Sequence, residues 1–308
     1  MHLFNDGVKI LAKKASLTNL RSFITEEKGQ QFSNVVIEST AAVPLEISYP
    51  RPNLCRVSLS AELIMYPGPL VVRDGIVAEV VIKPAAAAQV ELDISLEEAV
   101  QALITTVKGL PYRTVFGFSR KPLYDFYQDK EIVIDPGHGG ADGGWRGPVD
   151  LWERDMAWQT AGELAAILAG YGARVVLTRG EGENPSWQQR LSKVGPATFC
   201  FVSVHHYGNT DREQRGTAVL YNPRLPGNEQ LAEVVLERII NKVKPPARGI
   251  KADNELALLG EVPALKLEPV TITNWVDEGL LRNPYLHRKV ALQTVLGIKQ
   301  YFRAGEKL

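Results

Sequence analysis

The sequence predicts two parts: a smaller, mainly β, sandwich-like domain, then an α/β domain in which a mixed sheet is flanked by helices. Its 308 residues leave room for two domains at roughly 100 to 200 residues each. Up to about residue 128, short runs with apolar residues at period two follow one another, separated by prolines. Beyond that point strands alternate with helical stretches of about 10 to 20 residues, the rhythm of an α/β layer fold. The boundary is therefore drawn between 128 and 129.

In the first part, the runs NVVIEST, LEISYP, RVSLSAEL, PLVVRDGIVAEVVIKP and QVELDI read as strands of an antiparallel sandwich. Pro50, Pro52, Pro67 and Pro69 fall between them, where a missing amide donor does least harm. A helix is expected over 95–108, with Ser95 as N-cap and Glu98 as its capping-box partner. The strand YRTVFGF follows, and YDFYQDK (124–130) reads as the junction.

In the second part, 131–134 is a short buried strand, and 154–169 is an amphipathic helix closed by Gly170 and Gly172. Further strands are expected at 173–177, 199–204, 217–221 and 264–267. A long helix over 228–243 is stopped by Pro245 and Pro246, and Pro284 opens a closing helix to Phe302.

Lys plus Arg and Asp plus Glu are each 35, and the balance holds on either side of Lys130. No general electrostatic grip on nucleic acid or an anionic membrane is signalled. Cys55 and Cys200 lie in separate strand-like runs and outside any CxxC or Cys/His cluster, so no disulfide framework is expected. The first 30 residues hold no uninterrupted apolar core of the kind a signal peptide needs. Nowhere does the chain approach the ~18 consecutive apolar residues of a membrane span.

The chemistry concentrates at strand ends. EIVI runs into Asp135, Pro136, Gly137, His138, Gly139 and Gly140, a histidine on a glycine-rich loop at the carboxyl end of a strand, where α/β folds build sites. The loop lacks the GK[ST] and GxGxxG spacings of phosphate cradles. FCFVSVHH places His205 and His206 at the end of another strand, whereas His2 is terminal and His287 lies in the last helix. Two strand-end histidines and a carboxylate make a His2Glu zinc site with one open position. Glu153, just before the amphipathic helix, is a candidate third ligand, with Asp142, Asp150 and Asp155 in competition. Such a site needs a further carboxylate to shuttle a proton, and Glu268 at the end of ALKL fits; the alternative for it is an edge salt bridge.

With these residues in view, the span 132–302 resembles the catalytic domain of zinc-dependent N-acetylmuramoyl-L-alanine amidases, the peptidoglycan hydrolases that cut between muramic acid and the stem peptide. The matching segments come in order: IVIDPGHGGADGG, the acid of LWERD, TR with a later QQRL, the strand ending SVHH, and VPALKLE with Asn274 six residues after the Glu. The resemblance implies that His138, Glu153 and His205 hold zinc and that Glu268 is the catalytic acid/base. It prefers His205 to His206, which would then touch substrate. Asp135 is read as orienting the His138 loop and Asn274 as structural. Arg179 and Arg190 are read as surface salt-bridge residues, with contact to stem-peptide carboxylates as the alternative. The chain departs from the family after SVH, where His206 and Tyr207 replace a small residue and Asn or Asp. It departs again after Glu268, where Val270 and Thr271 replace Gly and Phe. Both changes bear on the shape of the substrate groove. Some relatives carry an inhibitory helical insertion between the second His and the Glu, and none is expected in the interval 205–268.

Residues 1–128 resemble the β-rich AMIN module found ahead of such catalytic domains, which implies cell-wall targeting. Together these readings imply a zinc enzyme acting on peptidoglycan outside the cytoplasmic membrane, without nucleic acid; nothing in the sequence identifies an activator protein. The rival readings are a catalytically silent wall-binding protein and a zinc hydrolase acting on a different amide.

Overall fold

The computed structural model describes residues 15–64, 68–86 and 88–305. The readings that fall on residues 1–14 and on Pro67 lie outside them. The chain divides into two compact units at Pro122/Leu123.

The first unit contains two five-stranded sheets. One has the order β5-β1-β2-β10-β9, from β1 (Ser16–Glu27), β2 (Gln30–Ser39), β5 (Glu62–Leu63), β9 (Ala102–Val107) and β10 (Tyr112–Ser119). The other has the order β3-β4-β8-β7-β6, from β3 (Leu45–Arg51), β4 (Leu54–Leu59), β6 (Leu70–Val71), β7 (Val77–Ala86) and β8 (Gln89–Leu96). Period-two patterning builds the core directly: Val90, Leu92, Ile94 and Leu96 of β8 are buried, as are Val35 and Ile37 of β2 and Phe116 and Phe118 of β10. The helix expected over 95–108 does not form. Ser95 and Leu96 finish β8, and Ala102–Val107 is an edge strand paired antiparallel with β10. The run Ile104, Thr105, Thr106, Val107 is β-branched throughout, and stiff branched side chains favour a pleated strand over a helix whatever the cap offers. The β1 strand also went unread in the sequence.

The segment read as a polar junction belongs largely to helix α1 (Lys121–Tyr127), which buries Leu123, Phe126 and Tyr127. The Tyr127 hydroxyl donates to the carbonyl of Val295. The second unit is built on one six-stranded sheet of order β12-β11-β13-β16-β14-β15. Its strands are β11 (Glu131–Pro136), β12 (Arg174–Leu177), β13 (Thr198–Val204), β14 (Thr217–Tyr221), β15 (Ala247–Ala252) and β16 (Ala264–Glu268). The first four in spatial order are parallel, whereas β14 is antiparallel to β16 and carries β15 parallel to itself. Helices α2 (Glu153–Gly170), α4 (Asn228–Val243) and α6 (Pro284–Gly305) pack together over this sheet. Val133 and Phe201 face a separate cluster with Leu256, Leu259 and Ala264, against which Trp187 of α3 (Trp187–Leu191) packs, and the alternate residues Ile132, Ile134, Cys200 and Val202 point to the other face. Both cysteines are buried free thiols.

This order places the site. The chain leaves β11, crosses through α2 to β12 on one side, and returns to β13 on the other. The carboxyl ends of β11 and β13 therefore flank a topological switch point, where the crossovers diverge and leave a crevice. Among the described residues, no helix is long and apolar enough to cross a membrane.

All five tryptophans lie in the second unit, so tryptophan emission excited at wavelengths that tyrosine does not absorb reports on that unit. Phe201→Ala, which empties a fully buried ring site beneath the crevice, is expected to cost about 3–5 kcal/mol in a fluorescence-detected urea titration.

Candidate metal centre

The loop leaving β11 carries His138 with φ of 57°, an unusual conformation for a residue with a side chain and one that clusters at functional sites. Its ring is fixed from both ends: Nδ1 lies 2.9 Å from Asp142 Oδ2, and Nε2 lies 3.1 Å from Glu153 Oε2. Glu153 is the first residue of α2, where the helix N-terminus favours a negative charge, and its side chain is 2% exposed. His205 follows β13 directly and places Nδ1 2.9 Å from Glu153 Oε1. The ligand atoms of His138, Glu153 and His205 all lie within 4.8 Å of one another.

Burial would raise the Glu153 carboxyl, but hydrogen bonds and charge from His138 and His205 hold it well below the usual carboxylate range. Burial lowers His138, and its carboxylate partners Glu153 and Asp142 outweigh that and raise it. The donor set, two imidazole nitrogens and a carboxylate oxygen, suits a divalent transition metal with a position left open. The surroundings fit as well. A Cβ on Gly144 would come within 2.6 Å of His138 Cδ2 and 2.7 Å of Glu153 Oε2, so only glycine lets the loop close over this pair.

The competing acids stand elsewhere. Asp142 lies behind His138 and orients its ring, the usual partner for a metal-binding histidine. Asp150 pairs with Arg146 and Asp155 with Arg154, both in the open.

Glu268 ends β16, the strand beside β13, and the His205 amide donates to the Leu267 carbonyl at 2.9 Å. Its Oε2 accepts from Arg248 at 2.9 Å. Because β14 and β15 run antiparallel to β16, the start of β15 reaches the carboxyl end of β16, and Arg248 arrives there from the sheet edge. The guanidinium of Arg248 sits 3.4 Å from the Tyr207 ring centroid. Sequence reasoning missed Arg248, and β15 itself, because ARGIKA carries too little apolar alternation to signal a strand.

Two expectations are corrected. Arg179 and Arg190 are not surface residues: they are 4% and 6% exposed and hold the His138 loop by its carbonyls. Arg190 donates to Pro136, His138 and Pro185 and pairs with Asp135 at 2.8 Å; Arg179 donates to Pro136, Gly137 and Arg154. A loop with positive φ turns its carbonyls away from any regular ladder, and buried acceptors need donors. The second correction concerns His206, which does not face a substrate groove. It is 1% exposed, edge-on to the buried ring of His287, and burial pushes it down to about 3. Asn274 caps α5 (Trp275–Leu281), accepting from the amides of Val276 and Asp277.

A sheet switch point with two histidines and a buried carboxylate defines an α/β protein with a candidate mononuclear metal site. Residues 132–300 match the family model described as N-acetylmuramoyl-L-alanine amidase, and the chain belongs to that family. It is 34% identical over 177 residues to the probable cell wall amidase LytH of Staphylococcus epidermidis, an alignment covering 56% of this chain and 58% of the relative. The corresponding protein of Staphylococcus aureus is 33% identical over 181 residues. The chain thus spans under two thirds of these relatives. Among solved structures, the amidase AmiC2 of Nostoc punctiforme superposes with a TM-score of 0.53 at 28% identity, covering 57% of this chain and 99% of that one. The amidase from Clostridium difficile 630 gives 0.54 at 26% identity, covering 57% and 98%.

Asp135 is buried, accepting from Thr178, Ser203 and Arg190; burial would raise its carboxyl, and these partners hold it below its ordinary value. Its contribution to stability is complete above the ordinary carboxylate pKa near 4 and is lost as the pH falls through the lowered native value. Asp135→Asn is expected to cost about 3–5 kcal/mol at pH 7 and to flatten the loss of stability between pH 5 and pH 3, read from urea midpoints across that range.

Proposed function

We propose that the second unit is a zinc-dependent hydrolase of the amide between N-acetylmuramic acid and L-alanine in peptidoglycan. The convergence of His138, Glu153 and His205 at the switch point, with Glu268 on the neighbouring strand end, carries this reading. His138, Glu153 and His205 would hold the zinc, which when bound lowers the pKa of a water to ~7 and polarises a carbonyl.

Glu268 supplies the proton transfers. One carboxylate oxygen is held by Arg248, and the other takes a proton from the water that adds to the lactyl carbonyl. When the carbon–nitrogen bond breaks, its electron pair goes to nitrogen, and Glu268 returns the proton there. The products are the lactyl carboxylate on the glycan and a stem peptide with a free L-alanine amine. Arg190 and Arg179 keep the His138 loop in its turned conformation, and Asp142 sets the ring of His138. The resemblance of residues 1–128 to an AMIN module supports a targeting role for the first unit, with residues 129–308 catalytic. A peptidoglycan substrate places the protein's work outside the cytoplasmic membrane.

Incubation of zinc-loaded protein with peptidoglycan is expected to release peptides beginning with L-alanine, detected by mass spectrometry. A chelator should stop the release, and Glu268→Gln should lower kcat by about 10²–10⁴ while zinc content is retained. A product cut at another amide, or none from the zinc-loaded wild type, would overturn the reading.

A further inference from the structure

We propose that Trp145 is the stacking platform for a pyranose ring of the glycan strand, forming a sugar subsite directly beside the candidate metal centre. The identity of the glycan rests on the amidase reading; the subsite itself rests on the geometry around Trp145.

Trp145 is tied to the centre through its backbone. Its amide donates to Glu153 Oε2 at 3.1 Å, and its carbonyl accepts from the Glu153 amide at 2.9 Å. The indole lies flat against the loop that follows β13: a Cβ on Gly208 would fall 2.0 Å from its Cγ and 2.1 Å from its Cδ2. Gly208 is three residues beyond His205, so the ring bridges the two loops that carry the histidines. With one face fixed in this way, Trp145 remains 44% exposed.

The other tryptophans have partners within the chain. Trp187 packs edge-on to Phe201 in the core, while Trp152, Trp158 and Trp275 each lie under an arginine. Among the described residues, no aromatic ring and no cation is paired with Trp145, which keeps its 44% exposure. A large, already immobilised aromatic offers contact area at little entropic cost. The flat C–H faces of β-1,4-linked sugars, slightly positive, suit the negative face of an indole.

The arrangement of charge separates sugar from peptide. The stem peptide carries carboxylates, which call for cations, and Arg248 and Lys251 stand over Tyr207, with Lys251 Nζ 5.9 Å from its centroid. Both come from β15 at one edge of the sheet, whereas Trp145 comes from the loop after β11, on the other side of β13. The scissile amide joins the lactyl group of the sugar to the peptide. An amide placed at the centre therefore directs glycan toward Trp145 and peptide toward β15.

The test measures binding without catalysis. Chitotetraose, a peptide-free β-1,4 glycan, is titrated by calorimetry into the metal-free full chain. Wild type is expected to bind, Trp145→Ala to bind about tenfold or more weakly, and Trp145→Phe, which keeps a ring, to stay within about threefold of wild type. Absence of wild-type binding, or equal binding by Trp145→Ala, overturns the proposal. In parallel, Trp145→Ala acting on a glycan-linked stem peptide should show its loss in KM. A loss confined to kcat would mean that the ring only supports Glu153, and would overturn the subsite. Trp145-dependent glycan binding by a zinc-loaded protein that cleaves no amide would uphold the subsite and sink the amidase reading instead.

Discussion

The carboxylate of Glu153 stands at the first turn of α2 with four donors turned on it: the rings of His138 and His205 and the amides of Trp145 and His206. These donors come from two loops that leave two different strands. A carboxylate with its side chain 2% exposed is tolerable only where such donors and a helix N-terminus compensate its charge. The requirement works in both directions. The loops must close to satisfy Glu153, and in closing they bring the two imidazoles to one point. The geometry of the candidate centre thus follows from satisfying one buried charge with protein donors.

The sheet order decides which residues can take part. Because β11 and β13 are neighbours whose crossovers run to opposite sides, their end loops face each other over an open crevice. The reversal at β14 and β15 then brings the start of an edge strand to the same end, delivering Arg248 to Glu268. A fully parallel sheet would have placed the beginning of β15 at the far end, and Glu268 would have had to find another counter-ion.

Much of this was legible in the sequence, because strands buried on both faces read as continuous apolar runs and their ends are marked by glycine or histidine. The α/β elements that bear His138, Glu153, His205 and Glu268 were visible for that reason. Arg179 and Arg190 were not. An arginine reads as a surface residue by default, and only the positive φ of His138 reveals that the loop's carbonyls need internal donors. In the segment 102–107 two local signals conflict: Ser95 and Glu98 upstream offer a helix cap, but four successive β-branched residues favour the pleated strand that pairs with β10.

The departures from the family pattern can be understood as a rebuilt wall around an unchanged centre. His206, where relatives have a small residue, turns inward against His287 and still gives its amide to Glu153. Tyr207 lies beneath Arg248 and bridges to Thr271, so the two unusual positions after the histidine and after Glu268 are held together. Val270 and Thr271 are fully buried, which makes them packing for that wall rather than groove lining. Gly208 then leaves room for an indole where a Cβ could not fit. Trp145 with Gly208, and Tyr207 with Thr271, are thus two physically coupled pairs in that wall. A Cβ at 208 would overlap the indole, and a small side chain at 145 would leave a void beside Gly208, so that part of the wall can be altered only as a pair while the centre keeps its donors.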